Sequence, residues 1–171
     1  MNAKTEVKGA NPLLIKPDPT EPALIVTGRK TIAIKAGVSF AGRSFAHDTP
    51  VPSPDAGLDP GGDYAVVVVD GEPSLIPLTV KPIGDITLGG FHFAPGGNAA
   101  ARQGGDDVPA INPWSVWDLN YRPACPDPRG MALIDAGGPK YWADIYLTGA
   151  DHLTNGTSKL GVTICDGDDP P

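Results

Sequence analysis

The stretch DYAVVVVDGEPSLIPLTV, residues 63–80, decides the fold class. Residues 65–69 are apolar without interruption, residues 70–71 are Asp-Gly, and residues 74–80 are again mostly apolar. An Asp-Gly pair between two such runs is a strong local signal of a β-hairpin with a two-residue turn. A run that is apolar at every position is typical of a strand covered on both faces. The stretch therefore predicts a hairpin whose strands are Tyr64–Val69 and Ser74–Val80, with the first strand inside the protein.

Strand patterns continue on both sides of this hairpin. On the N-terminal side, residues 23–26 are apolar, and Ile32, Ile34, Val38 and Phe40 then recur at spacings typical of hairpin-like strands broken by glycine. On the C-terminal side, strands are predicted at residues 86–97, 131–135, 141–147 and 159–164.

Glycine and proline are unusually frequent, with 22 and 20 residues in a chain of 171. They lie between apolar runs, where they interrupt nearly every window long enough for a helix. The composition predicts a mostly β protein: a β-sandwich or barrel-like core of short strands, joined by long Gly/Pro-rich loops.

Changes in composition along the chain suggest three parts. Residues 1–22 are polar and proline-rich and predict an extended N-terminal arm. Residues 23–90 are interpreted as a first β domain, and residues 91–171 as a second β-rich module.

The net charge is -7 and the sequence pI about 4.7. Nucleic-acid binding requires a basic patch, so nucleic acid is not an expected partner.

The first residues contain no apolar signal segment, and the run at 65–69 is too short to cross a bilayer, so we expect synthesis in the cytosol and no membrane insertion. For the same reason, Cys125 and Cys165 are expected to stay reduced rather than form a disulfide.

The segment INPWSVWDLNYRPACPDPRGM, residues 111–131, is the densest in aromatic side chains. Asn112 and Pro113 are typical of a helix start, and Pro123 of its end, which predicts a short helix near residues 113–121. On such a helix Trp114, Trp117 and Tyr121 would share one face.

Two interpretations of this aromatic face stay open. It is either a platform that binds a sugar or a partner protein, or a structural clasp in which nearby arginines bind loop carbonyl or carboxylate groups. Helical spacing of aromatic residues favours the clasp. The candidate binding or interface residues are Trp114, Trp117, Tyr121, Arg122 and Arg129.

No pattern points to catalysis, to a metal or to a cofactor. His47, His92 and His152 lie far apart without the short spacings of metal ligands, and the acidic DGDD at 166–169 lacks the length of a calcium loop. The sequence contains neither a GxSxG nucleophile motif nor a GK[ST] phosphate loop. We therefore expect no catalytic residues, no bound metal and no cofactor.

Three segments together resemble a known family. They are DYAVVVVDG at 63–71, the run from GGFHFAPGG to WDLNYRPACPDPRGM at 89–131, and the run from YWADIYLTG to GVTICDGDDPP at 141–171. Across roughly residues 60–171 the chain is similar to a proximal module of tail-fibre or tail-tip proteins of tailed phages and prophages, in the manner of major tropism determinants. Some of these proteins continue into a C-type-lectin-like receptor-binding domain, whereas this sequence ends at Pro171.

The resemblance implies a structural protein of the virion tail, assembled in the bacterial cytoplasm as a homo-oligomer, often a trimer. Its implied partners are copies of itself, other tail or baseplate proteins and a host surface receptor. The preferred function is an oligomeric scaffold or adaptor for host attachment. The alternatives are direct binding of a host glycan or pilus and, third, a tail-associated polysaccharide depolymerase.

Overall fold

The computed structural model describes residues 13–79, 86–96, 107–121, 125, 127–150, 152–155 and 159–165. Within them the chain forms mostly short β-strands, so the predicted mostly β fold is confirmed. None of the helices in these ranges is long and apolar enough to cross a membrane. The strands are β1 (Leu14–Ile15), β2 (Leu24–Gly28), β3 (Thr31–Ile34), β4 (Ser39–Phe40), β5 (Arg43–Ser44), β6 (Thr49–Pro50), β7 (Gly62–Val69), β8 (Glu72–Pro77), β9 (Thr87–Ala94), β10 (Ala110–Ile111), β11 (Trp117–Asp118), β12 (Met131–Ile134) and β13 (Tyr141–Asp144); the helices are a 3-10 turn at Pro113–Ser115 and α1 at His152–Asn155.

The largest sheet is curled and contains five strands. It has the order β10-β9-β7-β8, and β11 adds to the same edge of β9 as β10 does. All its pairings are antiparallel. Because β9 has neighbours on both edges and packing on both faces, all eight of its residues are buried.

The hairpin predicted at residues 64–80 is confirmed as β7 and β8. Val69 is paired with Glu72, and the two residues between them, Asp70 and Gly71, have φ angles of 50° and 81°. Positive φ at both positions is what a type I′ turn requires, and it explains the Asp-Gly pair. Residues 64–68 are buried on both faces of β7, as the uninterrupted apolar run predicted.

Two three-stranded sheets, β2-β3-β6 and β1-β4-β5, precede the large sheet in the chain. The residues whose alternation predicted strands, Ile32, Ile34, Val38 and Phe40, are all buried. They belong to one apolar cluster with Tyr64 and other side chains of the large sheet, so the three sheets share a core.

The predicted boundary between residues 90 and 91 falls inside β9. Residues 1–12 of the predicted arm lie outside the described residues, whereas Leu14 is buried and pairs with Phe40. The division into an arm and two domains stays a prediction.

Three predicted elements differ from the structure. The helix begins after Asn112 as predicted, but it ends as a single 3-10 turn at Ser115 instead of reaching residue 121. The strand predicted at 141–147 ends at Asp144. The strand predicted at 159–164 is reduced to one bridge, between Gly149 and Ile164.

Candidate functional site

The short helix at 113–115 ends because the chain turns into a strand. Asn112 caps it, accepting a hydrogen bond of 2.9 Å from the backbone N–H of Trp114, but Val116 is already extended (ψ 126°). The next two residues form β11 and pair with Gly90 and Gly89 of β9. Pairing with a distant strand therefore replaces the helix that the local aromatic spacing predicted, and the three aromatic side chains do not share a helical face.

Trp117 is a core residue with 2% of its surface exposed. Its indole lies on Gly90 of β9: a Cβ atom placed on Gly90 would lie 2.8 Å from Cζ2 of Trp117. A side chain at this position of β9 would occupy the space of the indole ring. Trp117 thus fits the clasp interpretation.

Asp118 is buried completely and accepts four hydrogen bonds. Its Oδ2 accepts from Nζ of Lys16 at 2.9 Å and from the backbone N–H of Ala23 at 2.7 Å. Its Oδ1 accepts from the backbone N–H groups of Asn120 and Tyr121, both at 2.7 Å. We call Asp118, Lys16 and these three N–H groups the Asp118 cluster.

Lys16 is the cation of the Asp118 cluster, and its side chain is only 3% exposed. It also donates a hydrogen bond of 2.7 Å to the Glu21 carbonyl oxygen and lies 5.4 Å from the centroid of the Tyr121 ring. A buried carboxylate needs such a set of partners, since an unpaired buried charge is strongly destabilising. The cluster joins residues 16–23 to β11.

A second polar cluster joins the large sheet to residues 127–150. Nδ1 of His92 lies 3.0 Å from Oδ1 of Asp63, directly across the β7–β9 ladder, and Nε2 of His92 lies 2.6 Å from the hydroxyl of Tyr146. Oδ1 of Asp63 also accepts a hydrogen bond of 3.0 Å from the backbone N–H of Gly130. We call Asp63, His92, Tyr146 and this N–H group the Asp63 cluster.

The Asp63 cluster places a carboxylate, an imidazole ring and a phenol hydroxyl in one line that joins β7 and β9 to residues 127–150. Burial, and then the negative charge of Asp63, raise the pKa of Tyr146 to about 12, so its hydroxyl stays protonated near neutral pH. The nearby Ser115 hydroxyl accepts a hydrogen bond of 2.8 Å from the backbone N–H of His92.

Sequence reasoning interpreted His92 only as an isolated histidine and did not identify either polar cluster. The available signal was a polar residue inside an otherwise buried strand, GGFHFA, because a buried polar side chain requires a partner. Its partners, Asp63 and Tyr146, are 29 and 54 residues away.

Trp114 and Tyr121, unlike the buried Trp117, line one common cleft. Trp114 is 48% exposed, and both rings line a cleft of about 200 Å³. Its rim carries Glu21, Asp135 and Lys140. We call this site the Trp114 cleft.

Lys140 and Asp135 form an exposed ion pair at 3.2 Å on the rim of the Trp114 cleft. The hydrogen bond to Asp135 raises the pKa of Lys140, and the neighbouring Tyr121 contributes to the same shift. The pKa of Asp135 is lowered, first by the backbone N–H of Gly137 and then by Lys140. The rim therefore presents both a cationic donor and anionic acceptors to solvent.

Arg129 lies elsewhere, at a cleft of about 370 Å³ that is also lined by Asp59 and Lys159. Its Nη2 and Nε bind the carboxylate of Asp127 at 2.6 and 2.9 Å, and its Nη1 donates to the Thr79 carbonyl oxygen at 2.9 Å. The hydrogen bond to Asp127 raises the pKa of Arg129 further. Arg129 thus binds a carboxylate and a loop carbonyl, and its role in a clasp stays a prediction.

Of the five candidate residues, the structure brings only Trp114 and Tyr121 to one cleft. Trp117 is in the core, Arg129 is at a different cleft, and Arg122 lies outside the described residues. Within the described ranges, no three His, Cys, Asp or Glu side chains are grouped so that they could hold a metal ion. Cys125 is buried, with its sulfur 3.4 Å from the Asp127 carbonyl oxygen.

Known proteins share this fold over nearly the whole chain. The family described as the Mtd second domain matches residues 22–118. The tail fiber receptor-binding protein of Bordetella phage BPP-1 is 46% identical over 167 aligned residues, which cover 92% of this chain and 42% of that protein. The solved structures of the U1, I1 and M1 variants of Major Tropism Determinant each match with a TM-score of 0.78 and 44% identity, covering 92% of this chain and 43% of theirs. The chain spans less than half the length of these relatives.

Proposed function

Since this chain belongs to the Mtd family of phage tail-fibre proteins, we propose that it is a structural module of the virion tail that supports host attachment. The observation that carries this proposal is the match to Major Tropism Determinant over 92% of the chain. The U1, I1 and M1 variants match it with the same identity and TM-score, as expected if the segment they share with this chain is common to them. A common segment suits a scaffold that carries a variable part.

The packing supports a rigid scaffold. The Asp118 cluster joins residues 16–23 to β11, and the Asp63 cluster joins the large sheet to residues 127–150. Segments distant in the chain are thus tied to strands of the same large sheet. Such a module holds its two sides in a fixed relation, which is what an adaptor between a tail and a distal binding element requires.

The C-terminal region supports contacts with further protein. Leu147, Leu153 and Ile164 are 69%, 84% and 50% exposed. A surface that is covered in an assembly exposes large aliphatic side chains on the separate chain, and these three are candidates for such a surface. We propose that the chain forms a homo-oligomer, with a trimer as the expected form, and that it contacts other tail or baseplate proteins.

The scaffold proposal is tested in two steps. Light scattering coupled to size-exclusion chromatography should give the mass of an oligomer, with three times 17.6 kDa for a trimer. Immunogold electron microscopy of particles from the phage or prophage that encodes the chain should then place a tagged copy on the tail. A stable monomer that never enters particles would overturn the proposal.

Direct receptor binding is the second candidate, and the Trp114 cleft favours it. The relative from phage BPP-1 is named as a receptor-binding protein, and its name is that of an attachment protein rather than of an enzyme. Trp114→Ala and Trp117→Ala separate the two functions. Direct binding predicts that Trp114→Ala assembles normally but lowers adsorption to host cells, whereas Trp117→Ala should impair folding and incorporation under both functions.

A further inference from the structure

The Trp114 cleft is an aromatic site on a rigid frame. The Trp114 backbone N–H is held by Asn112, and the Ser115 hydroxyl donates to the Asn112 carbonyl oxygen at 2.7 Å and accepts from the His92 N–H. The backbone under the ring is therefore fixed to β9, although about half of the ring is exposed. A large ring that is held in place and open to solvent costs little conformational entropy when it contacts a ligand.

The second ring of the cleft is fixed as well. The Tyr121 backbone N–H is bound by Asp118, and its ring lies beside the Lys16 ammonium group. The hydrophobic side chains of Val116 and Leu133 line the cleft and are buried. The cleft thus has aromatic and aliphatic walls that do not depend on the ligand for their position.

The rim supplies hydrogen bonds of both kinds. Lys140 donates, Asp135 and Glu21 accept, and all three side chains are substantially exposed. Lys140 is paired with Asp135, and Nζ of Lys35 lies 3.6 Å from the carboxylate of Glu21, so the rim has no strong excess of charge for an ionic ligand. It is suited to a neutral molecule that carries many hydroxyl groups and an apolar face.

We propose that the Trp114 cleft binds a neutral saccharide unit, with an apolar face of the sugar ring against Trp114 and its hydroxyl groups bonded to Lys140, Asp135 and Glu21. This inference rests on the proposed attachment function and gives it a ligand class, a glycan of the host surface. Sugar rings carry C–H groups on one face and hydroxyl groups at the edge, which match aromatic walls and a polar rim.

The test is saturation-transfer NMR of the purified chain with glucose, galactose, mannose, N-acetylglucosamine and lactose, each at millimolar concentration. At least one saccharide should receive saturation at its ring protons. Trp114→Ala should abolish this signal, and Trp114→Phe should retain part of it. Lys140→Met should weaken binding by about tenfold, since it removes a charged donor.

Two controls keep the result decisive. Leu153→Ala changes another exposed apolar side chain, outside the cleft, and should leave the saccharide signal unchanged. Circular dichroism should show that Trp114→Ala is folded. If none of the five sugars binds, if Trp114→Ala binds them equally, or if choline binds at the cleft in their place, the proposal is overturned.

The outcomes also separate this inference from the proposed function. A chain that is found on the tail but binds none of the five saccharides leaves the scaffold function standing and rejects only the sugar site. A chain that binds a saccharide through Trp114 but is absent from virions supports the site and rejects the tail function.

Discussion

The Asp118 and Asp63 clusters join different parts of the chain to the core in different ways. Asp118 is completely buried and is neutralised by a lysine whose side chain is 3% exposed. Asp63 is 15% exposed, and its partners are a backbone N–H and a histidine ring that is bonded in turn to a tyrosine hydroxyl. Breaking a buried ion pair leaves a charge without water, whereas breaking a hydrogen-bonded network at a partly exposed group leaves sites that water can satisfy.

The difference suggests that the two sides of the molecule, residues 16–23 with the sheets around them and residues 127–150, differ in local stability. The segment around Lys16 should open only when the whole domain unfolds. The segment around Tyr146 should open at lower cost, because water can reach part of its cluster.

The largest expected effect is at the buried carboxylate. Asp118→Ala leaves the Lys16 ammonium and three backbone N–H groups without their acceptor, and should lower the free energy of unfolding by about 3 to 5 kcal/mol. Urea unfolding followed by tryptophan fluorescence measures the change. The matched control is Asp135→Ala, which removes an exposed carboxylate paired with Lys140 and should leave the free energy of unfolding nearly unchanged. Equal losses for both variants would mean that burial does not set the strength of these pairs.

The hairpin at 62–77 was predictable from the sequence because its causes are local. An apolar run, an Asp-Gly turn and a second apolar run are adjacent in the chain, and the turn type determines the register. The alternation of Ile32, Ile34, Val38 and Phe40 was equally informative, since strand periodicity is a property of neighbouring residues.

The aromatic segment could not be predicted in the same way. The spacing of Trp114, Trp117 and Tyr121 is helical, yet β11 pairs with Gly89 and Gly90, about 28 residues earlier in the chain. The polar clusters depend on still longer separations, up to 102 residues between Lys16 and Asp118. A single sequence shows which residues need partners, such as His92, but not which distant residues supply them.

An intermediate effect is expected at the Asp63 cluster. Asp63→Ala removes the acceptor for His92 and Gly130 and should lower stability by about 1 to 3 kcal/mol. Hydrogen exchange followed by mass spectrometry should show faster exchange in residues 131–144, with β2 and β3 protected nearly as in the unchanged chain. If β2 and β3 exchange faster by the same factor, the two sides unfold together and the proposed difference between them does not exist.

The smallest expected effect is a loss of folding stability at alkaline pH, caused by the ionisation of Tyr146 in the Asp63 cluster. The pKa of Tyr146 is about 12 in the folded chain and about 10 in the unfolded chain, so between these values the unfolded state loses a proton that the folded state keeps. The stabilisation is therefore complete below pH 10 and is lost as the pH rises towards 12. Because the hydroxyl is only partly buried, we expect a loss of about 1 to 2 kcal/mol after allowing for solvent screening.

Tyr146→Phe tests this origin directly, since phenylalanine does not titrate. The variant should be less stable than the unchanged chain at pH 8, where its hydrogen bond to His92 is missing. The gap between the two proteins should narrow from pH 10 to pH 11.5 in urea unfolding experiments. Tyr141→Phe, which removes the hydroxyl of a tyrosine 57% exposed in the preceding strand β13, is the matched control. A gap that stays constant with pH would place the alkaline loss on groups other than Tyr146 and would reject this origin.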